Sequence, residues 1–232
     1  MKTKALLFGI VLAAAAFAAQ DAVKFERAFK EGDKDTFRMS AVATTPMGAA
    51  EMNMVMSQIV KKIYENGDAD IESSVSEMKI TFNGMELPEG AGPGAPKPTI
   101  QRVSKSGVPV SGRSGGGMMG MDFTRYAGMM LDKPLEIGKV YPIEQKDEKN
   151  PNSKVEGTVK LDSVTEGVAK LITDLKVFSA QNQAKPMKVS LVSLIDVASS
   201  KPNKIDGTVS DLPEQGGMPI EGVKFSMTRL KN

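Results

Sequence analysis

The stretch YENGDADIE, residues 64–72, packs Glu65, Asn66, Asp68, Asp70 and Glu72 around Gly67. Oxygen-bearing side chains at that density either cradle a calcium ion or flank a tight turn. A helix-loop-helix calcium site needs a ligand series that closes with a Glu about 12 positions along. The series here is shorter, and it sits between apolar residues that alternate with a period of two. Asn66-Gly67 is a two-residue hairpin signal, because both central positions of a type I′ turn take positive φ. Alternation then sets Asp68, Asp70 and Glu72 on one strand face, expected to be solvated, with Ala69 and Ile71 on the other. The hairpin reading leads, and a weak divalent-ion site is the alternative.

The chain supplies a control for that reading. The segment from Ile63, IYENGDADIESSV, aligns with SVTEGVAKLITDL from Ser163. Gly67 falls on Gly167, Ala69 on Ala169, Ile71 on Leu171 and Val75 on Leu175; upstream, Ile59 falls on Val159, and FKEGDKDTF from Phe29 resembles LEIGKVYPI from Leu135. The glycine and the apolar face recur. The carboxylates do not, since Asp68, Asp70 and Glu72 meet Val168, Lys170 and Ile172. An internal duplication is expected, too short for a solenoid, as two related meanders that share a core or form adjacent lobes.

Alternating stretches recur along the chain at residues 36–43, 51–63, 69–82, 154–161, 168–178, 187–197, 204–212 and 222–230, separated by Gly, Asn, Asp and Pro. Strands with such short turns read as antiparallel hairpins, and no crossover helices for a parallel sheet are visible. The fold class is therefore mainly all-β, with the meanders forming a half-barrel, barrel or sandwich. One exception is DFTRYAGMML, residues 122–131, where Phe123, Tyr126, Ala127, Met130 and Leu131 follow a helical period behind Asp122 as cap and before Pro134. The expected organisation is a first meander over 19–110, a Gly- and Met-rich linker over 111–121, and a short helix with the second meander over 122–232. The Gly- and Pro-rich residues 83–98 read as a loose loop.

Residues 1–18 read as a secretory signal peptide: Lys2 and Lys4, a short apolar run, and Ala16-Phe17-Ala18 ahead of cleavage after Ala18. No later run approaches the ~18 apolar residues of a membrane-spanning helix. The expected product is soluble and exported, to the periplasm or beyond. Removing Lys2 and Lys4 from 30 basic residues leaves 28, equal to the 28 acidic ones. A neutral surface without a long basic run gives no footprint for nucleic acid. With no cysteine, an exported chain must be stabilised by burial alone.

The chain contains no His and no Cys, so Ser-His-Asp and Cys-His triads and His- or Cys-ligated metals are excluded. Ser76-Glu77-Met78-Lys79 matches an S-x-x-K motif by letter, but it lies in an expected strand, whereas that motif requires a helix. The glycine runs lack a phosphate-loop pattern. No enzyme and no cofactor are expected. Methionine is instead abundant, 16 residues, with Met52, Met54 and Met56 on one strand face and Met118, Met119, Met121, Met129 and Met130 near the linker. Three readings stay open: filler of an irregular core, lining of an adaptable apolar groove, and a soft thioether site for Cu(I).

The FKEGD and ENGDADIE turns and the late IDVASSKPNKIDGTVSDL hairpin make the chain similar to uncharacterised exported bacterial β-repeat proteins. A meander with a short covering helix also resembles, distantly, the lipoprotein-carrier half-barrels. These resemblances imply a fold and an envelope location, with no catalytic residues to carry over. The expected function is non-catalytic binding of a lipid or other apolar small molecule, or of an envelope protein. Met54, Met56, Phe123, Tyr126, Met129 and Met130 are expected to line the site. A structural envelope protein with a closed core is the rival.

Overall fold

The computed structural model describes residues 22–87, 97–111, 133–147, 150–178, 185–213 and 219–231. The strands are β1 (Lys34–Thr45), β2 (Gly48–Ile63), β3 (Ala69–Phe82), β4 (Met85–Glu86), β5 (Thr99–Val103), β6 (Pro109–Ser111), β7 (Val140–Asp147), β8 (Asn150–Thr165), β9 (Val168–Phe178), β10 (Met187–Asp196), β11 (Lys201–Ser210) and β12 (Gly222–Leu230). They form one antiparallel sheet in the order β6-β5-β3-β2-β1-β12-β11-β10-β9-β8-β7, with the short β4 paired to β3 beside that path. The described strands do not close into a barrel, and a single sheet is not a sandwich. Of the three expected architectures, the open half-barrel fits.

Period-two alternation explains both strands and core. In β10, Met187, Val189, Leu191, Ser193 and Ile195 are buried and the residues between them face outward. The same side carries Phe37, Met39, Ala41 and Ala43 of β1, Val159 and Leu161 of β8, and Val223, Phe225 and Met227 of β12. These join one hydrophobic cluster with Tyr141 and Ile143 of β7, so the sheet curls over its own inner face. Two strand glycines permit close approach on that face. A Cβ at Gly157 would sit 2.0 Å from the Asp174 carbonyl oxygen, and one at Gly207 would meet the Phe225 ring at 2.4 Å.

Two segments close one end of the trough. Val23 and Leu135 exchange backbone hydrogen bonds at 2.9 and 2.8 Å, the Arg27 amide donates to the Lys105 carbonyl at 2.7 Å, and Phe25 between them is buried at 1% exposure. Leu135, Leu161 and Ile195 are fully buried.

The same local pattern occurs twice. The Gly32 amide donates to the Val60 carbonyl at 2.9 Å, and the Gly138 amide to the Leu161 carbonyl at 2.8 Å. Both hairpins carry a register shift at the matching place, after Val60 in β2 and after Leu161 in β8. Pro109 faces Val103 across β5–β6 as Pro202 faces Ile195 across β10–β11. Register also corrects one alignment: Val60 pairs Ile71 as Leu161 pairs Leu171, so Gln58, not Ile59, corresponds to Val159.

The turns explain that one-residue offset. Glu166 and Gly167, at φ 51° and 75°, form a two-residue loop of the type I′ kind, whereas Asn66 has no positive φ and Gly67 alone is left-handed at 83°. With Tyr64 and Asp68 hydrogen-bonded across it, the first turn is a three-residue loop that ends in a left-handed glycine. The Asn-Gly two-residue turn occurs instead at Asn83-Gly84, φ 50° and 77°, where Phe82 pairs Met85 inside a segment expected to be loose loop.

The strands β4 to β7 were not legible as strands. Pro109 and Pro142 interrupt two of them, and both lie in edge strands, where a missing amide donor is tolerated. The signal segment, the linker beyond Ser111 and the helix expected at 122–131 lie outside the described residues. No helix occurs among the described residues, and none is long and apolar enough to cross a membrane.

Candidate functional site

A row of methionines crosses the inner face. Met227 of β12 pairs Met39 of β1, Met39 pairs Met54 of β2, and Met54 pairs Met78 of β3. Directly opposed residues of antiparallel strands share a face, with Cβ atoms about 4.5–5.5 Å apart, so the row is continuous. Met52 and Met56 flank it in β2, opposite Ala41 and Phe37. Thioether side chains without β-branching adapt to irregular partners better than Val or Ile does.

Burial falls along this row. Met39 and Met227 are buried, at 5% and 7% exposure, whereas Met54 and Met78 are half-buried. Beside them Val75, Ile80 and Phe82 are half-buried as well. A register shift between Val55 and Met56 leaves Ser76 without a partner, which moves the inward set of β3 from Ile71 and Val75 to Met78, Ile80 and Phe82. Among the described residues, β3 has no second partner strand between Ser73 and Thr81. The apolar inner face is thus least covered at β2 and β3.

Of the residues expected to line a site, Met54 and Met56 lie on the inner face, with Met56 in the core cluster and Met54 packed against it. Phe123, Tyr126, Met129 and Met130 lie outside the described residues. Sequence reasoning missed Met39, Met78, Ile80 and Met227. The phase change in β3 was visible as apolar residues moving from odd to even positions. The cross-strand pairing was not visible, because it joins residues far apart in the chain.

Toward the closed end the inner face turns polar. Asp35 lies opposite Gln58, and Gln58 opposite Ser73. Lys201 Nζ stands 2.9 Å from Asp35 Oδ2, and Arg229 Nη1 4.0 Å from Asp35 Oδ1, while Arg229 Nη2 donates to Asn203 Oδ1 at 2.8 Å. Nearby, Asp196 accepts from the amide and hydroxyl of Ser199, which hold its carboxyl below the usual range. Arg27 reaches in from the N-terminal segment. Burial pushes its guanidinium below the ordinary value, with Asp35 opposing the shift and Arg229 reinforcing it.

The acidic turn has a different occupation from the one expected. Asp68 is buried at 7% exposure, and Asp70 and Glu72 are half-buried, so this is not a freely solvated face. Asp68 Oδ2 accepts from Arg102 Nε at 3.1 Å and from Asn66 Nδ2 at 2.9 Å. The guanidinium lies 3.7 Å from the Tyr64 ring centroid, and Tyr64 Oη donates to Asp70 Oδ2 at 2.8 Å, a bond that raises the tyrosine pKa. Arg102 comes from β5, opposite Asp70, so the turn is held by a strand distant in sequence. Arg102→Met keeps the stem and removes the charge; it is expected to cost about 2 kcal/mol, because Asp68 then stays buried without its cation. Urea titration of both proteins checks this, and an unchanged midpoint would refute it.

Comparison with protein families and with curated proteins returns no match. Among solved structures the chain is similar to an outer membrane lipoprotein-sorting protein domain from Vibrio parahaemolyticus, at 12% identity and a TM-score of 0.24, over 85% of this chain and 83% of that one. A likeness of that size carries no argument for a shared function.

Proposed function

We propose that this protein is a non-catalytic, exported binding protein that takes an apolar ligand against the inner face of its open sheet. The observation that carries the reading is the methionine row, buried at Met227 and Met39 and only half-buried at Met54 and Met78. A chain selected only for a closed core gains nothing from leaving Met54, Met78, Ile80 and Phe82 partly uncovered, since each exposed apolar area forgoes about 25 cal/mol per Å². Methionine-rich surfaces suit ligands of variable shape. The matched registers of the two halves support a tandem duplication of one meander as the origin of the trough.

The test uses an environment-sensitive naphthylamine dye as the apolar probe. The wild-type protein is expected to enhance and blue-shift its fluorescence, and Met78→Glu to weaken binding about tenfold by placing a charge on the apolar face. A protein that leaves the dye unchanged, or a Met78→Glu variant that binds as the wild type does, would defeat the proposal in favour of a closed structural protein.

A further inference from the structure

Methionine carries all the sulfur of this chain, which has no cysteine, so an oxidant of sulfur acts here on thioethers alone. The fold grades those thioethers by access. Met47, in the β1–β2 turn, and Met85, just after the Asn83-Gly84 turn, are 61% and 71% exposed. Met54 and Met78 on the inner face are half-buried, whereas Met39, Met52, Met56, Met187 and Met227 are buried. Sulfur oxidation follows exposure, so the three classes should react in that order. The first two classes also lie together. Asn83 ties the two turns, its Oδ1 accepting from the Ala49 amide at 3.0 Å and its Nδ2 donating to the Met47 carbonyl at 3.2 Å. Met85 opposes Phe82, an inward residue of β3 that lies about 13 Å from Met78 at ~3.3 Å per residue.

The chemistry needs only a hydroperoxide. With hydrogen peroxide, a sulfur lone pair attacks one oxygen, and the S–O bond forms as the O–O bond breaks. The departing hydroxide takes the proton of the transferred oxygen and leaves as water. Sulfur is oxidised by two electrons and the peroxide is reduced by two. The product sulfoxide is polar. At Met47 and Met85 it stays in solvent, but at Met54 and Met78 it sets dipoles on the least covered part of the apolar face, where a ligand would bury them without partners. Resting on the apolar-ligand reading above, we propose that Met54 and Met78 form an oxidation-sensitive modification site, at which oxygen transfer from a hydroperoxide turns apolar binding off and reduction of the sulfoxides restores it.

The experiment treats the mature protein with hydrogen peroxide, stops samples at intervals with catalase, and reads each by peptide mass mapping, circular dichroism and titration with the naphthylamine dye. Met47 and Met85 are expected to oxidise first with no change in dye affinity. Oxidation of Met54 and Met78 should follow, ahead of Met39 and Met227, and lower the affinity about tenfold while the strand signal is retained. Methionine sulfoxide reductases specific for the two epimers should restore it. A Met54→Leu/Met78→Leu protein is compared with itself before and after peroxide, and its affinity should not change on treatment. A loss that tracks Met47 and Met85, that persists in the double variant, or that accompanies loss of the strand signal would overturn the proposal, as would oxidation of Met54 and Met78 no faster than that of Met39. A wild-type protein that never binds the dye would defeat the apolar-ligand reading and this switch with it. One that binds, and keeps its affinity with Met54 and Met78 oxidised, would defeat the switch alone.

Discussion

Replacing Gly157 by Ala is expected to cost about 3 kcal/mol or more, which places it among the most damaging single-methyl additions in the molecule. Gly157 lies in β8 opposite Leu175 of β9, where the two strands run close together. An added Cβ would stand 2.0 Å from the Asp174 carbonyl oxygen and 2.8 Å from the Leu175 Cα. Those are backbone atoms held in the ladder, so relief requires the strands to part. Gly207→Ala is the informative comparison. There the nearest atoms, Phe225 Cζ at 2.4 Å and Leu191 Cδ2 at 2.8 Å, are side-chain ends that can rotate away. Urea unfolding of the two variants should rank Gly157→Ala clearly below Gly207→Ala. The reverse order, or a loss under about 0.5 kcal/mol at Gly157, would show that β8 and β9 are not so tightly apposed.

Phe25→Ala is expected to lose about 3–5 kcal/mol, the range for emptying a fully buried phenylalanine site. The residue is 1% exposed and joins the main core cluster from outside the sheet. Its segment is tied down by the Val23–Leu135 pair and by the Arg27 amide, so the ring and three backbone hydrogen bonds together close the end of the trough. Loss of the ring should release them together. Amide exchange at Val23, Arg27 and Leu135 should therefore accelerate more than exchange at Leu191 or Ile205 in the sheet centre. Uniform acceleration would mean that Phe25 stabilises the whole fold without serving as a local plug. An unchanged melting curve would contradict its burial.

Strand content was readable because the side-chain period in a strand is local. Residues 69–82, 168–178 and 222–230 were identified to their ends as β3, β9 and β12. The hairpin at Tyr64–Glu72 was readable for the same reason, although its turn type was not. Asn-Gly adopts the two-residue form at Asn83, while at Asn66 the extra residue and the pull of Arg102 on Asp68 favour the longer loop. Met54 and Met56 could be assigned to one strand face from their spacing. Their neighbours Met39, Met78 and Met227 could not, because nothing within a strand states which other strand will lie beside it or in what register.

What the sequence by itself determined is which residues alternate, where the chain must turn, and which chemistries are absent for want of His and Cys. These are properties of a few neighbouring residues or of composition. What only the tertiary structure decided is sidedness at long range: β12 seated between β1 and β11, the methionine row across four strands, and Arg27 brought to Lys201 and Asp35. The physical reason is that an antiparallel ladder can pair any two extended segments. The choice among pairings is made by the collective burial of one face, through contacts such as Met39 with Met227 that no local stretch contains.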